Sequence, residues 1–382
     1  MSNLKLRASW GKLGNDNIAP FQYAQFYFLN RNGRLLYNNG GIVNYPAFSA
    51  GVVGNPDATW ESQTSTNIAL EAGFFANKLN FTLEAFKQRR DDILAPPNAS
   101  VPLYAGITLP DKNIGIVENK GIEAQAGYKS NRERINYYVS GNFTYAKNKI
   151  IFADEKLASK PAYQAFTGNP VGAGLIYNAV GVFQTQREID DYAEFKLGSP
   201  PIPGDLKFED VNKDGFIDQK DQVIQPFTSV PQITYGVSMG MTWNQLSLDL
   251  LFQGQGRASR YFRAVSGRNQ NFTQEDFDGR STPGHITDRP RSSEVYGSPQ
   301  GIANTYYLST TAFLRLKNVE VSYNIKSDAL TKIGIGSMRV YVNTFNLFTI
   351  TKYKGLDPES VDGQGLAYPI NRTYNMGVSV SF

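Results

Sequence analysis

The chain has 382 residues with 38 Lys and Arg against 34 Asp and Glu, a near-balance that argues against a nucleic-acid partner. Cysteine is absent and His285 is the single histidine. Thiol chemistry is therefore excluded, histidine-based metal or catalytic sites are nearly excluded, and an enzyme is not expected. No stretch of 18 apolar residues occurs, which excludes a transmembrane helix.

Ten segments alternate apolar and polar residues with a period of two, the pattern of strands that have unlike faces. In chain order they are residues 4–10, 68–74, 79–84, 122–128, 135–145, 233–243, 246–253, 319–324, 338–342 and 374–382. Before the eighth segment the apolar positions Leu314 and Leu316 change parity, which predicts a β-bulge near Asn318. The basic run 87–90 is followed at once by two aspartates and is interpreted as a solvated strand end.

The connections between these segments alternate between short and long. The short ones are 76–78, 130–134, 244–245 and 326–337; the long ones are 13–63, 94–120, 151–232, 257–307 and 351–370. Transmembrane barrels have this asymmetry, with tight periplasmic turns and long extracellular loops. The pattern predicts an all-β fold, an antiparallel transmembrane β-barrel wall with its long loops at one end.

Aromatic residues indicate the outward face of that wall, and charged residues indicate its inward face. The five strands that run toward the short turns end on an aromatic residue at the last outward position: Phe74, Tyr128, Trp243, Tyr323 and Phe382. Such a row is typical of the girdle at a membrane interface. The inward positions carry charged residues, which we expect to line a wet or protein-filled lumen without catalytic chemistry: Lys5, Glu71, Glu84, Glu123, Asp249 and Glu320.

Residues 210–221, in the third long loop, match the ligand pattern of an EF-hand calcium loop. The predicted metal ligands are Asp210, Asn212, Asp214, the carbonyl of Phe216, Asp218 and Asp221, with Gly215 at the sharp turn. Four carboxylates this close repel one another unless a hard cation neutralises them. Asp in place of Glu at the twelfth position should weaken affinity. We predict a structural Ca²⁺ site, with a solvated acidic turn as the alternative.

Six segments together resemble one family along essentially the whole chain. They are Pro-Asp-Ala-Thr-Trp-Glu at 56–61, Asn-Ile-Gly through Asn-Lys-Gly-Ile-Glu at 113–123, Ala-Val-Gly-Val-Phe-Gln at 179–184, Pro-Gly-Asp-Leu-Lys-Phe at 203–208, Phe-Leu-Arg-Leu-Lys-Asn at 313–318 and Asn-Thr-Phe-Asn-Leu-Phe-Thr at 343–349. In this order they resemble the barrel of SusC/RagA-type TonB-linked outer-membrane transporters. The resemblance implies import of oligosaccharides or oligopeptides, a SusD-like surface lipoprotein, an inner-membrane TonB complex and contact with outer-membrane lipid.

The same resemblance implies that residues 1–382 are the C-terminal part of a larger barrel. Such transporters have about 22 strands around a plugged lumen, so the plug, the segment that contacts TonB and the earlier strands would precede residue 1. The absence of a signal peptide before the first strand agrees with that expectation. Phe382 closes the last strand either as a barrel-assembly signal or as a girdle residue, and both interpretations stay open.

The main alternative function is a soluble or surface-anchored extracellular protein that binds glycans or adheres. In that case loop aromatics would serve as sugar platforms, with Tyr163, Phe166, Tyr177 and Tyr306 as candidates. A continuous apolar band on the outward faces would favour the membrane wall instead. The sequence does not identify the residues that bind a substrate.

Overall fold

The computed structural model describes residues 1–38, 41–98, 109–132, 134–156, 160–263, 274–292, 298–360 and 368–382. Ten strands form one sheet in which every strand is antiparallel to its neighbours in sequence. They are β1 (Asn3–Asn15), β2 (Glu61–Phe74), β3 (Leu79–Ala95), β4 (Lys112–Asn131), β5 (Ile135–Phe152), β6 (Ile233–Trp243), β7 (Leu246–Gly256), β8 (Phe313–Ile325), β9 (Ser337–Thr351) and β10 (Thr373–Ser381). The predicted fold class and strand order are confirmed.

Every long connection leaves the sheet at the same end. The long connections are 16–60, 96–111, 153–232, 257–312 and 352–372, and each joins an odd-numbered strand to the next even-numbered one. The turns 75–78, 132–134, 244–245 and 326–336 join even to odd strands at the opposite end. Because neighbouring strands are antiparallel, the two sets separate into a loop end and a turn end, as predicted.

The connections carry short elements of their own. The strands pair as Tyr27–Asn38 with Gly41–Ala50, Leu175–Tyr177 with Gln222–Ile224, Ala179–Val182 with Leu206–Phe208, Glu194–Phe195 with Phe216–Ile217, and Ser259–Tyr261 with Leu308–Thr310. The helices are α1 (Gln186–Asp190), α2 (Gln274–Gly279) and α3 (Asp328–Lys332), with 3₁₀ turns at Ala162–Gln164, Gln219–Asp221, Pro299–Gly301 and Thr305–Tyr307. No helix in the described ranges has the length and apolarity needed to cross a membrane.

The strand register joins the apolar faces of neighbouring strands into one surface. One row across the first six strands is Leu6, Leu70, Leu83, Ala124, Phe143 and Tyr235. A second row across the last five is Met241, Leu248, Val321, Val342 and Met376. Met376 is 85% exposed, which suits a side chain that faces lipid. The outward apolar band is therefore continuous across the sheet.

A β-bulge lies where the sequence predicts it. Leu251 pairs with Asn318 and Phe252 pairs with Leu316, so Lys317 is the extra residue on β8. The bulge reverses the parity of the strand. As a result Arg315 shares the inward face with Gln253, its partner on β7.

Several strands extend further toward the loop end than their alternation suggests. The third predicted segment ends at residue 84, whereas β3 continues to Ala95, and β9 continues to Thr351. Beyond the apolar band the outward positions of β3 become charged, with Lys87 and Arg89 on that face. The apolar/polar alternation stops there, but the backbone hydrogen bonds of the ladder do not depend on it.

Candidate functional site

The described parts of the two longest loops, 153–232 and 257–312, pack against each other at the loop end. Their core contains the buried residues Tyr177, Val182, Leu206, Phe208 and Ile217 from the first loop, and Ile286, Ile302, Tyr306 and Tyr307 of the second pack against it. Tyr177 stacks on Phe208 with ring centroids 5.2 Å apart. The loops therefore have a hydrophobic core of their own, separate from the wall.

This core contradicts part of the alternative interpretation of the loop aromatics. Tyr177 is only 2% exposed, so the expectation that it serves as a sugar platform is wrong. Tyr306 packs edge-on against Tyr307 with centroids 5.0 Å apart, and the hydroxyl of Tyr163 donates to the carbonyl of Lys220 at 2.6 Å. Phe166 lies 5.5 Å from the ammonium group of Lys160. These rings are used in internal packing and hydrogen bonds and do not form one platform.

A buried ion pair joins the two loops. Asp205 is fully buried, and its carboxylate accepts hydrogen bonds from Arg291 Nε at 2.6 Å and from Gln300 Nε2 at 2.6 Å. The backbone N–H of Ile202 donates to the same carboxylate at 2.9 Å. A buried carboxylate is tolerated because it is paired and hydrogen-bonded. Sequence reasoning placed Asp205 in one of the family-like segments but did not predict its partners.

Main-chain N–H groups of the acidic loop donate hydrogen bonds to its carboxylates. The N–H of Gly215 donates to Asp210 Oδ2 at 2.9 Å, and the N–H of Phe216 donates to Asp214 Oδ1 at 3.1 Å. Gly215 has φ of +83°, a left-handed conformation that glycine adopts without strain. The second oxygen of Asp210, Oδ1, is buried and has no hydrogen-bond partner among the residues that the structure describes.

Asp221 is the buried end of this loop. It is fully buried and accepts hydrogen bonds from the N–H groups of Val211 at 2.9 Å and Asp218 at 2.8 Å. Burial raises the pKa of the Asp221 carboxyl, and these backbone hydrogen bonds oppose the rise. The Asp221 carboxyl therefore keeps its proton to a higher pH than an ordinary aspartate does.

Lys220 neutralises part of the acidic loop. Its spacing predicts a position between ligand residues, but its ammonium group lies 3.2 Å from Asp214 and 3.7 Å from Asp218. The hydrogen bond to Asp214 raises the pKa of Lys220, and the amide of Asn212 lowers the pKa of Asp214. Within the described ranges, no three acidic or histidine side chains are gathered as in a finished metal centre. The six predicted ligands thus lie in one loop, and Lys220 forms ion pairs with two of them, Asp214 and Asp218.

The acidic loop is anchored to the preceding segment by Gln164, which sequence reasoning missed. The Gln164 side-chain amide donates to the carbonyls of Gln219 at 2.8 Å, Lys220 at 2.9 Å and Gln222 at 2.9 Å. Gln164 is 4% exposed. A lone glutamine in a loop carries no sequence signal for this role, since its partners are backbone atoms.

The inward face of the wall is polar and internally paired. Arg7 lies 3.4 Å from Glu71 and 2.9 Å from Glu84, and Arg339 forms an ion pair with Glu320. The predicted lumen residues Glu71, Glu84 and Glu320 therefore form ion pairs within the wall. The hydroxyl of Tyr138 likewise donates to Asp249 at 2.9 Å, across the row that joins β5 to β7. Glu123 lies on the same face, opposite Glu84 in the register.

A second buried charge cluster ties the last long loop to the wall. Arg315 is 1% exposed and donates to Thr349 at 2.8 Å, to Asp357 at 2.7 Å and to Glu359. Lys317 also lies 3.6 Å from Glu359. The inward position of Arg315 follows from the bulge, so the cluster depends on the register of β8. Its partners could not be read from the sequence.

Comparison with known proteins agrees with this architecture. The family described as "TonB dependent receptor-like, beta-barrel" matches residues 2–347. TonB-dependent receptor P26 of Formosa agariphila is 28% identical over 99% of this chain and 40% of its own length, and TonB-dependent receptor SusC of Bacteroides thetaiotaomicron is 26% identical over 100% and 38%. A solved structure of the RagAB peptide transporter superposes with a TM-score of 0.74 at 25% identity, over 100% of this chain and 41% of that one. The chain thus spans about two fifths of the length of these relatives.

Proposed function

The chain belongs to the TonB-dependent receptor-like β-barrel family, and we propose that it supplies ten wall strands of a transporter that imports large nutrients across the outer membrane. It is of the SusC/RagA type, and proteins of this type are outer-membrane receptors and transporters rather than enzymes. The proposal concerns the whole transporter, of which these residues form a part.

One observation carries the proposal. The ten-stranded sheet has a continuous apolar outward face, a polar and ion-paired inward face, and all its long loops at one end. A soluble sandwich or adhesin would cover the apolar face with a second layer, because exposed apolar bands of this size are unfavourable in water. A wall between lipid and a polar lumen requires this combination of faces.

For the cargo we propose oligosaccharides or oligopeptides, received with a SusD-like surface lipoprotein and imported with energy from TonB. Similarity to SusC and to the RagAB peptide transporter over the full length of this chain supports the choice. The folded loops 153–232 and 257–312 offer the surface on which such a lipoprotein would rest.

Growth assays test the import function and its cargo. A strain that lacks the full-length receptor is grown on oligosaccharides as carbon source and on oligopeptides as nitrogen source. We expect growth on one class to be lost, and to return with the receptor only when TonB and the lipoprotein are present. Unchanged growth of the deletion strain on both classes would contradict nutrient import, and rescue without TonB would contradict the energy source.

We further propose that the acidic loop binds Ca²⁺ as a structural ion, with the six ligands predicted from the sequence. Support comes from the Oδ1 of Asp210, which is buried without a partner in the described part of the chain, and from the fully buried carboxylate of Asp221. Oxygen ligands from carboxylates, an amide and a carbonyl suit a hard cation. Calcium would have to displace the ammonium group of Lys220 from Asp214 and Asp218.

Calorimetric titration of the full-length receptor with Ca²⁺ tests this site. We expect Asp210→Ala to weaken or abolish binding, because it removes the first ligand. Asp191→Ala is the matched control, since Asp191 is 74% exposed, lies in the same long loop and carries the same charge. Lys220→Gln should strengthen binding by removing a competing cation. Equal heats from wild type and Asp210→Ala would identify the loop as a solvated turn.

A further inference from the structure

Five basic side chains form a patch on the outward face of the wall, next to the loop end. Lys87, Lys120 and Lys147 lie directly opposite one another in one row across β3, β4 and β5. The next row toward the loops contains Arg89, Glu118 and Lys149. We call the five basic residues of these rows the outer basic patch.

The patch shares its face with the apolar band. The row immediately on its turn side contains Ala85, Ile122, Tyr145 and Ile233, which are outward apolar residues. Side chains two residues apart on a strand point to the same face. The patch is therefore on the lipid side of the wall rather than in the lumen.

The height of the apolar band places the patch at a membrane interface. From Ile135 to Tyr145 the outward face of β5 is apolar or glycine. At about 3.3 Å per residue and a tilt of about 40°, this stretch rises about 25 Å along the barrel axis, which is the height of the apolar band in outer-membrane barrels. Lys147 follows directly after it on the same face. Because the patch is at the loop end, it faces the headgroups of the outer leaflet.

The charge of the patch is only partly balanced. Glu118 lies 2.9 Å from Lys87 and 3.9 Å from Lys120, and Asp91 lies 2.9 Å from Arg89. In the part of the chain that the structure describes, no carboxylate forms an ion pair with Lys147 or Lys149. Five cations against two carboxylates leave a net charge of +3.

Such an arrangement is unfavourable without an anion. Like charges directly opposite each other on neighbouring strands repel, and three lysines occupy one such row about 4.8 Å from strand to strand. The side chains of Lys87 and Lys120 are 61% and 68% exposed, so they are free to contact a ligand. Arg257 extends the positive charge toward β6, since its guanidinium lies 5.4 Å from the ring of Tyr145.

We propose that the outer basic patch binds the phosphate group of an outer-leaflet lipid, with the acyl chains of that lipid lying on the apolar rows below. Lys87 and Arg89 of the basic run 87–90 are then lipid contacts and not merely part of a solvated strand end. The inference goes beyond nutrient import, and its test measures lipid binding alone, so either proposal can fail without the other.

The experiment titrates the full-length receptor in detergent with monophosphoryl lipid A and with the same lipid after removal of its phosphate, read by native mass spectrometry. Wild type should bind the phosphorylated lipid more tightly. A basic side chain close to an anionic lipid surface contributes about five-fold in affinity, so Lys87→Gln, Lys120→Gln and Lys147→Gln together should weaken binding about a hundred-fold. Added salt should weaken the wild type toward the variant.

The matched control removes the same charge from the turn end of the wall, with Lys78→Gln, Lys129→Gln and Arg134→Gln. It should leave the preference for phosphate unchanged, and arginine at all three patch positions should retain binding. Heat-modifiable migration in gels confirms that each barrel is folded. Equal affinity for the two lipids, equal loss in the control variant, or displacement of the lipid by inorganic phosphate alone would overturn the proposal.

Discussion

Replacing Arg315 with methionine should release the last long loop from the wall. Methionine keeps an unbranched, flexible side chain but lacks the guanidinium group, which leaves Asp357 and Glu359 without their buried partner. Asp357 is only 6% exposed, so water does not replace the lost contact. Removing one member of a buried ion pair costs about 3–5 kcal/mol.

We expect the lower end of that range, about 3 kcal/mol, because Glu359 is 23% exposed and keeps Lys317 at 3.6 Å. A change of that size raises the fraction of open loop about a hundred-fold. Hydrogen exchange of residues 353–360 in the full-length receptor measures it, since exchange from a locally open state scales with the opening equilibrium. The ladder between β7 and β8 should keep its protection.

Two variants make this prediction sharp. Lys317→Met removes the partly exposed ion pair with Glu359. It should change the hydrogen exchange of residues 353–360 less than about five-fold, since such pairs contribute about 1 kcal/mol or less. Adding Asp357→Asn and Glu359→Gln to Arg315→Met should restore part of the protection, because no unpaired charge remains buried. Exchange of 353–360 in Arg315→Met within a factor of about two of wild type would refute the reasoning.

Three other outcomes follow from the loops and the sheet. Asp210→Ala should lower calcium affinity while the wall stays folded, and calorimetry with Asp191→Ala as control measures this. Because the pKa of Asp221 is raised in the folded loop, the contribution of this carboxyl to metal-free stability is fully present below the usual aspartate pKa and is lost as pH rises through the raised value. Calcium affinity should instead increase as pH rises, and titrations at several pH values check both signs. Vesicles that contain only residues 1–382 should not take up oligosaccharide, because β1 and β10 each have a single strand neighbour in the sheet; uptake would count against this.

The wall could be predicted from the sequence because lipid imposes a local rule. Every second residue must be apolar where the strand crosses the band, so segments such as 233–243 are visible without knowledge of their neighbours. The parity change at Leu314 and Leu316 located the bulge for the same reason. Where the rule stops, at charged outward residues such as Lys87, the ends of the strands were missed.

The acidic loop is an intermediate case. The spacing of 210–221 places its six candidate ligands in one turn, because the pattern is local in sequence. The spacing does not show that Lys220 holds two of the carboxylates, or that Gln164 anchors the backbone from 55 residues away.

Contacts between distant loops were decided by the tertiary structure alone. Asp205 meets Arg291 86 residues later, and Arg315 meets Asp357 42 residues later. From the sequence, Tyr177 was expected at the surface, but it is buried in the core between the two loops. Periodicity indicates which face of a strand is apolar. The partner of a buried charge or ring instead depends on how separate loops pack against each other, and no local sequence pattern indicates which residues meet.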